Sequence, residues 1–289
     1  MRLHVIDGTF ELFRAHFSKR PGQTSPDGQD VKATVGVMSA VLSLIDDDVE
    51  RATHLAVAFD NPIESFRNDL FLGYKTGAGM DPVLTDQFEI VEEAVRACGV
   101  TVWSMDRWEA DDALATAARR WCNDVDQVRI MTPDKDLGQV VEGDRVVQAD
   151  RIRGKVINEA GVLDRNGVPP ASIPDWLALV GDTADGIPGV PGFGAKTAST
   201  LLQRYGSVES IPADPETWDV KVRGAAKLSA TLEAMREEVA LYRELAVLVT
   251  DVPLAESLDD LRWRGAPRAD FEAMSARLGG VRYQPHQWL

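Results

Sequence analysis

Three short apolar runs each stop at an aspartate, and this pattern limits the possible folds more than any other feature. "LHVI" runs into Asp7, "HLAVAF" into Asp60, and "VRIM" into "TPDKD" with Asp134 and Asp136. Runs this short, rich in β-branched residues and bounded by turn residues, suit buried strands. Between them the period is helical. Val35, Met38, Leu42 and Ile45 share a face within 31–49. Phe88, Val91 and Val95 do so within 83–98, and Ala113, Leu114, Ala117 and Trp121 within 109–122. Alternating strands and helices predict an α/β fold, a mostly parallel sheet covered by helices. "TVWSM" (101–105) and "RVVQA" (145–149) add candidate strands.

The pattern changes after about residue 158. "IPDWLALVG", "KTASTLLQRYG" and "LSATLEAMREEVALYRELAVL" read as helices with no matching series of strands. The expected division is therefore 1–158 and 159–289, an α/β domain with a helical extension. Apolar residues make up 44% of the chain, enough for a sizeable core. Cys98 and Cys122 fall in helical stretches and read as buried thiols. "MRLHVIDG" lacks the form of a signal peptide, and no stretch is long enough to span a membrane. A cytoplasmic protein with no membrane partner is expected. The net charge of −15 sits badly with a nucleic-acid binder unless many acids gather around metal ions.

The positions of the acids favour such gathering. In an open parallel sheet the carboxyl ends of the strands share one edge, and ligands bind there. Asp7, Asp60, Asp134 and Asp136 should meet at that edge. "EADD" places Glu109, Asp111 and Asp112 at a helix start facing it, and Asp182 and Asp185 share a helical spacing further on. Singly, each acid also fits a turn, a cap or a helix-dipole partner. Together they repel: two unit charges 4 Å apart cost about 1 kcal/mol even in water. A divalent cation resolves that repulsion. Oxygen-only ligands suit Mg²⁺ or Mn²⁺, and a surplus of carboxylates suits two ions. His4, His16, His54 and His286 are scattered, which argues against zinc.

These pieces resemble the 5′-nuclease family, the 5′–3′ exonuclease domain of bacterial DNA polymerase I and the flap endonucleases. The matching blocks are "VIDGTFELFRAHF", "VAFDNPIESFRNDLFLGYK", "WEADDALATAA", "RIMTPDKDLGQVV" and "LVGDTADGIPGVPGFGAKTASTLL". No polymerase segment follows, so the chain looks like a free-standing form. The resemblance implies a PIN-like sheet domain with a gateway segment at about 66–96. It also implies a helix-hairpin-helix (helix-3-turn-helix) region with its turn at about 181–205. Two or more Mg²⁺ or Mn²⁺ ions would be held by Asp7, Asp60, Glu109, Asp111, Asp112, Asp134, Asp136, Asp182 and Asp185. Lys75 and Arg67 would stabilise charge at the scissile phosphate. Gly189, Val190, Gly192, Gly194, Lys196 and Thr197 would grip DNA, with K⁺ at the turn. The implied activity is hydrolysis of flap, nicked or 5′-ended duplex DNA in replication and repair. The implied protein is a monomer with a functional link to a polymerase and a ligase.

The chain departs from the family in the gateway. Ala78 stands where relatives usually carry arginine, and Lys75 is the only base between Arg67 and Arg96. Gly186 replaces a common asparagine and reads as a minor backbone change. Two rival readings follow. One is a non-catalytic or weakly active DNA-binding homologue with an altered gateway. The other is an ATPase, because "GVPGFGAKT" nearly spells a P-loop; Ala195 puts its lysine one place late, and no strand is expected before it.

Overall fold

The computed structural model describes residues 1–289. β1 (Arg2–Asp7), α1 (Gly8–His16), α2 (Lys32–Ile45) and β2 (His54–Asp60) open the chain. Next come α3 (Phe66–Leu70), α4 (Pro82–Thr85), α5 (Phe88–Ala97), β3 (Thr101–Met105), α6 (Ala110–Trp121) and β4 (Gln127–Met131). β5 (Val146–Asp150), β6 (Lys155–Ile157), α7 (Glu159–Asn166) and α8 (Ile173–Val180) follow. The last helices are α9 (Ala195–Tyr205), α10 (Ala225–Ala234), α11 (Arg236–Ala246) and α12 (Arg268–Arg277).

Two compact units alternate along the chain. The first comprises residues 1–64, 77–132 and 249–289, and the second 65–76 and 133–248. This partition differs from the expected 1–158 and 159–289. Residues 249–289 return to the first unit because they carry apolar side chains, among them Leu254, Leu261 and Phe271, that are buried there. The backbone of that tail is also tied in. Trp263 N donates to Thr53 O at 3.1 Å, and Val252 N donates to Thr116 Oγ1 at 3.1 Å. The expected gateway segment is likewise shared, with 66–76 in the second unit and 77–96 in the first.

In the first unit β1 lies between β2 and β4, with β3 outside β2, and every pairing is parallel. All seven residues of β2 are buried, as in a strand covered on both faces. α6 packs across β1, β2, β3 and β4, while α1 and α5 each pack on α2 and on β2. Parallel pairing sets the strand ends on one edge. Asp7 pairs with Ala58, two residues before the end of β2 at Asp60. The helix expected over 83–98 is broken between α4 and α5. Buried Gln87 turns inward at the break, its Oε1 accepting from Thr34 N at 3.0 Å and Thr34 Oγ1 at 3.1 Å.

In the second unit β5 and β6 form an antiparallel pair. The helices close over a core that includes Val162, Leu177, Leu179, Phe193, Leu201 and Tyr242. α8 packs on α9 and α11, and residues 181–194 make the turn from α8 to α9. The stretch expected as one helix from 228 is two helices, α10 and α11, separated at Met235.

Candidate metal centre and nucleic-acid interface

In the first unit the predicted acids gather at the carboxyl edge of the sheet. Asp7 ends β1 and caps α1: its Oδ1 accepts from Phe10 N at 2.8 Å. Its Oδ2 accepts from Thr132 Oγ1 at 3.0 Å, just past the end of β4. Asp60 ends β2, and its Oδ1 accepts from Ala110 N, the first residue of α6, at 2.8 Å. Glu109 is the residue before that helix and is buried. The ends of three strands and one helix start thus share an edge, although their residues lie up to 125 positions apart. Asp112 differs from the expectation of a metal ligand. It is fully buried, and its oxygens accept from Glu109 N at 3.0 Å and Val249 N at 2.8 Å. Those amides make it a brace for the helix start. Asp111, one residue earlier, is half-buried.

In the second unit Asp136, Asp182 and Asp185 meet, each with a carboxylate oxygen within 4.8 Å of the others. Local backbone explains the meeting. Asp182 and Ile187 exchange two backbone hydrogen bonds, at 2.8 and 2.7 Å, which pinch the segment between them into a tight loop. Within that loop Asp182 Oδ1 accepts from Ala184 N at 2.8 Å. Asp134 Oδ1 accepts from Asp136 N at 2.9 Å and turns the "TPDKD" segment. Asp134 itself is exposed. Lys75 joins the cluster from a third segment: its N donates to Asp185 O at 3.0 Å, and its Nζ lies 3.3 Å from Asp185 Oδ1.

A residue missed from sequence, Lys135, completes this constellation. Its Nζ hydrogen-bonds Asp182 Oδ2 and lies 3.6 Å from Asp136 Oδ1. The signal was visible, since Lys135 is the cation between the two acids of "TPDKD". Its backbone is fixed from behind. Arg165 Nη2 donates to Lys135 O at 3.3 Å and to Gln148 Oε1 at 2.9 Å, and Gln148 donates in turn to Asp134 O.

Electrostatics separate the carboxylates. Burial, then the nearby charge of Asp134, pushes the Asp136 carboxyl well above its ordinary range. For Asp182 burial acts upward too, but the Lys135 hydrogen bond and charge and two backbone amides hold it below that range. One oxygen of Asp136 is buried without a hydrogen-bond partner. That oxygen, Oδ1, has the Lys135 ammonium 3.6 Å away but no donor within hydrogen-bonding distance, and beside two more carboxylates it fits a hard divalent cation. The donor set is oxygen only, as Mg²⁺ or Mn²⁺ prefers.

Arg67 does not take the position expected of a phosphate ligand. It is 1% exposed, with Nε donating to Leu245 O at 2.8 Å and Nη2 to Val247 O at 2.8 Å. These carbonyls close the C-terminal turn of α11, where a helix lacks internal donors. Arg67 therefore ties α3 to α11.

The glycine-rich turn divides in the same way. Gly189 is buried, and a Cβ there would lie 2.5 Å from Gly181 N. Val190 is buried and its N–H donates to Leu179 O at 2.8 Å. Both were expected to touch DNA; instead they seat the turn on α8. Gly192, Gly194 and Lys196 are exposed around the start of α9, with Thr197 half-buried beside them. A helix start with free amides and a lysine is an anion site in form. The segment before it is α8 and a loop, not a strand, so a P-loop is excluded.

Comparison with known proteins places this arrangement. The model of the 5′-3′ exonuclease N-terminal resolvase-like domain matches residues 2–167, and that of the 5′-3′ exonuclease C-terminal SAM fold matches 168–269. The chain belongs to the 5′-3′ exonuclease family. It is 32% identical to a 5′-3′ exonuclease of Aquifex aeolicus, over 96% of this chain and 90% of that one. It is 36% identical to DNA polymerase I of Pseudomonas aeruginosa, over 93% of this chain but only 29% of the polymerase. Among solved structures it shares the fold of the T5 5′-exonuclease with zinc bound, at TM-score 0.70 and 19% identity, covering 96% of this chain and all (100%) of the other. The catalytic core of Rad2 with DNA has TM-score 0.59 at 13% identity, covering 96% and 87%. The family's chemistry is nucleolytic, and this chain is a nuclease of that family. Both cysteines are free and buried, with the Cys98 thiol pushed up to about 12 by burial, and no helix is long and apolar enough to cross a membrane.

Proposed function

We propose that this chain is a divalent-metal-dependent 5′ nuclease acting on flap, nicked or 5′-ended duplex DNA. The supporting observation is the meeting of Asp136, Asp182 and Asp185 around a buried carboxylate oxygen that no donor satisfies. These three residues would hold an Mg²⁺ or Mn²⁺ ion, and within the first unit Asp7, Asp60 and Glu109 are a set of oxygen ligands of their own at the sheet edge. Divalent ions held there would polarise phosphoryl oxygens and activate water for attack on phosphorus. The residues supply the rest. Lys75, paired with Asp185 yet partly exposed, places a cation where charge develops on the phosphate. Gly192, Gly194, Lys196 and Thr197 hold a backbone phosphate of the duplex at the start of α9, and the turn is the place for K⁺. The polymerase I relatives support a working link with a DNA polymerase; a ligase acting afterwards and a monomeric chain complete the proposal.

The test is cleavage of an end-labelled 5′-flap duplex in Mg²⁺ and in Mn²⁺, with Asp182→Asn beside the unchanged protein. Loss of one such group is expected to slow product formation about a hundred- to a thousandfold. Salt-sensitive binding by the unchanged protein without metal-dependent products would instead favour the non-catalytic module, for which the charge-poor gateway around Ala78 speaks.

A further inference from the structure

The three-carboxylate cluster carries two lysines with it. Lys75 pairs with Asp185, and Lys135 pairs with both Asp182 and Asp136. The lysines differ in setting. Lys75 comes from a separate segment. Lys135 lies between Asp134 and Asp136, and its carbonyl is fixed by Arg165. Its backbone is therefore held, and its partly exposed side chain reaches the carboxylates through a four-carbon stem. Its ammonium sits on Asp182 Oδ2, one of the oxygens that a cation in the cluster would need. An ammonium and a divalent ion cannot share that oxygen at close range without strong repulsion.

We infer that Lys135 is a resident counter-ion of this cluster, holding the carboxylates together before a metal arrives and competing with the metal for Asp182. The lysine neutralises the repulsion that would otherwise open the "TPDKD" segment and the 182–187 loop. With a divalent ion held there, Lys135 would have to leave Asp182 Oδ2. Metal affinity is thus set lower than the carboxylates alone would give, and the metal-free protein is correspondingly stabilised. This inference rests on the proposed metal site and concerns this chain's own cation within it.

Mn²⁺ binding to the full chain, followed by electron paramagnetic resonance without DNA, tests the inference through affinity. Lys135→Met removes the charge at similar volume. It should bind Mn²⁺ about ten- to thirtyfold more tightly, the effect of no longer having to draw a unit positive charge away from two carboxylates about 4 Å from it in a water-like medium. Lys135→Arg should stay near the unchanged protein. In chelator the Met variant should melt at a lower temperature than the unchanged protein, and saturating Mn²⁺ should raise its melting temperature by the larger increment. Adding Asp182→Asn should abolish the gain in affinity, because the two residues act on one site. Equal or weaker Mn²⁺ binding by Lys135→Met would overturn the inference while leaving the metal site standing. An unchanged protein that binds no Mn²⁺ would instead remove the site itself, and the inference with it. Should Lys135→Met not fold, Lys135→Gln carries the same expectation.

Discussion

Arg67 shows how far one side chain's function depends on its neighbours. By residue type and motif it reads as a phosphate ligand; enclosed and bonded to the carbonyls of Leu245 and Val247, it is a structural clamp. Arg67→Met should leave two buried acceptors without donors and cost about 2–4 kcal/mol, seen as a lower urea midpoint. A midpoint unchanged within error would return Arg67 to the list of phosphate contacts. Asp112 illustrates the same point: an acid that reads as a metal ligand is taken up in bracing a helix start. Sequence shows which side chains carry charge. It does not show which are consumed by backbone amides, because that depends on residues such as Val249 that lie 137 positions away. The acids at strand ends were legible for a simpler reason. A strand ending in Asp puts a carboxylate at the edge whatever else packs around it.

At the scale of elements, β1 to β5 and α6 could be read from period alone, because β2 is buried on both faces and α6 spans the sheet, whereas the three-residue β6 was not expected. The loops could not, because their geometry depends on close approaches between distant segments. Gly186 is the clearest case. It read as a minor change, yet its φ is +75° and a Cβ there would lie 2.1 Å from Gly73 O. That approach sets the 182–187 loop against the Lys75 segment, where Lys75 N donates to Asp185 O. Gly186→Ala should therefore destabilise the protein by about 2 kcal/mol or more, combining left-handed backbone with a steric clash. Thermal unfolding measures it, and a melting temperature equal to that of the unchanged protein would mean that the loop relaxes freely. Gly189 follows the same logic and was misread for the same reason: a glycine needed for phosphate approach and one needed for packing are identical in sequence.

At the scale of the molecule, the division of the chain into units was the least legible feature. Residues 249–289 look like a continuation of the helical region but are bound to the first unit by Trp263, Val252 and Phe271. Global stability also has a built-in pH dependence. Glu50 is held down to about 2 by its hydrogen bond to His4 and by Arg129, against an opposing contribution from burial. Its stabilisation is complete above the ordinary value of 4.5 and is lost as pH falls toward 2. Burial lowers the His4 value below 6.5, so protonation there also disfavours the folded state as pH falls. Both contributions have the same sign. Urea unfolding from pH 7 to pH 3 should show a steady loss, of which Glu50→Gln removes about 1–2 kcal/mol after allowance for solvent screening. An identical pH profile for the variant would assign the acid sensitivity elsewhere.

One measurement bears on the whole account. Crystals of the unchanged protein soaked in Mn²⁺ should give an anomalous difference peak at a bonding distance of about 2.0–2.3 Å from oxygens of Asp136, Asp182 or Asp185. The peak should vanish in Asp182→Asn. A soaked crystal with Mn²⁺ elsewhere and no density among these three carboxylates would contradict the proposal that they form a cation site.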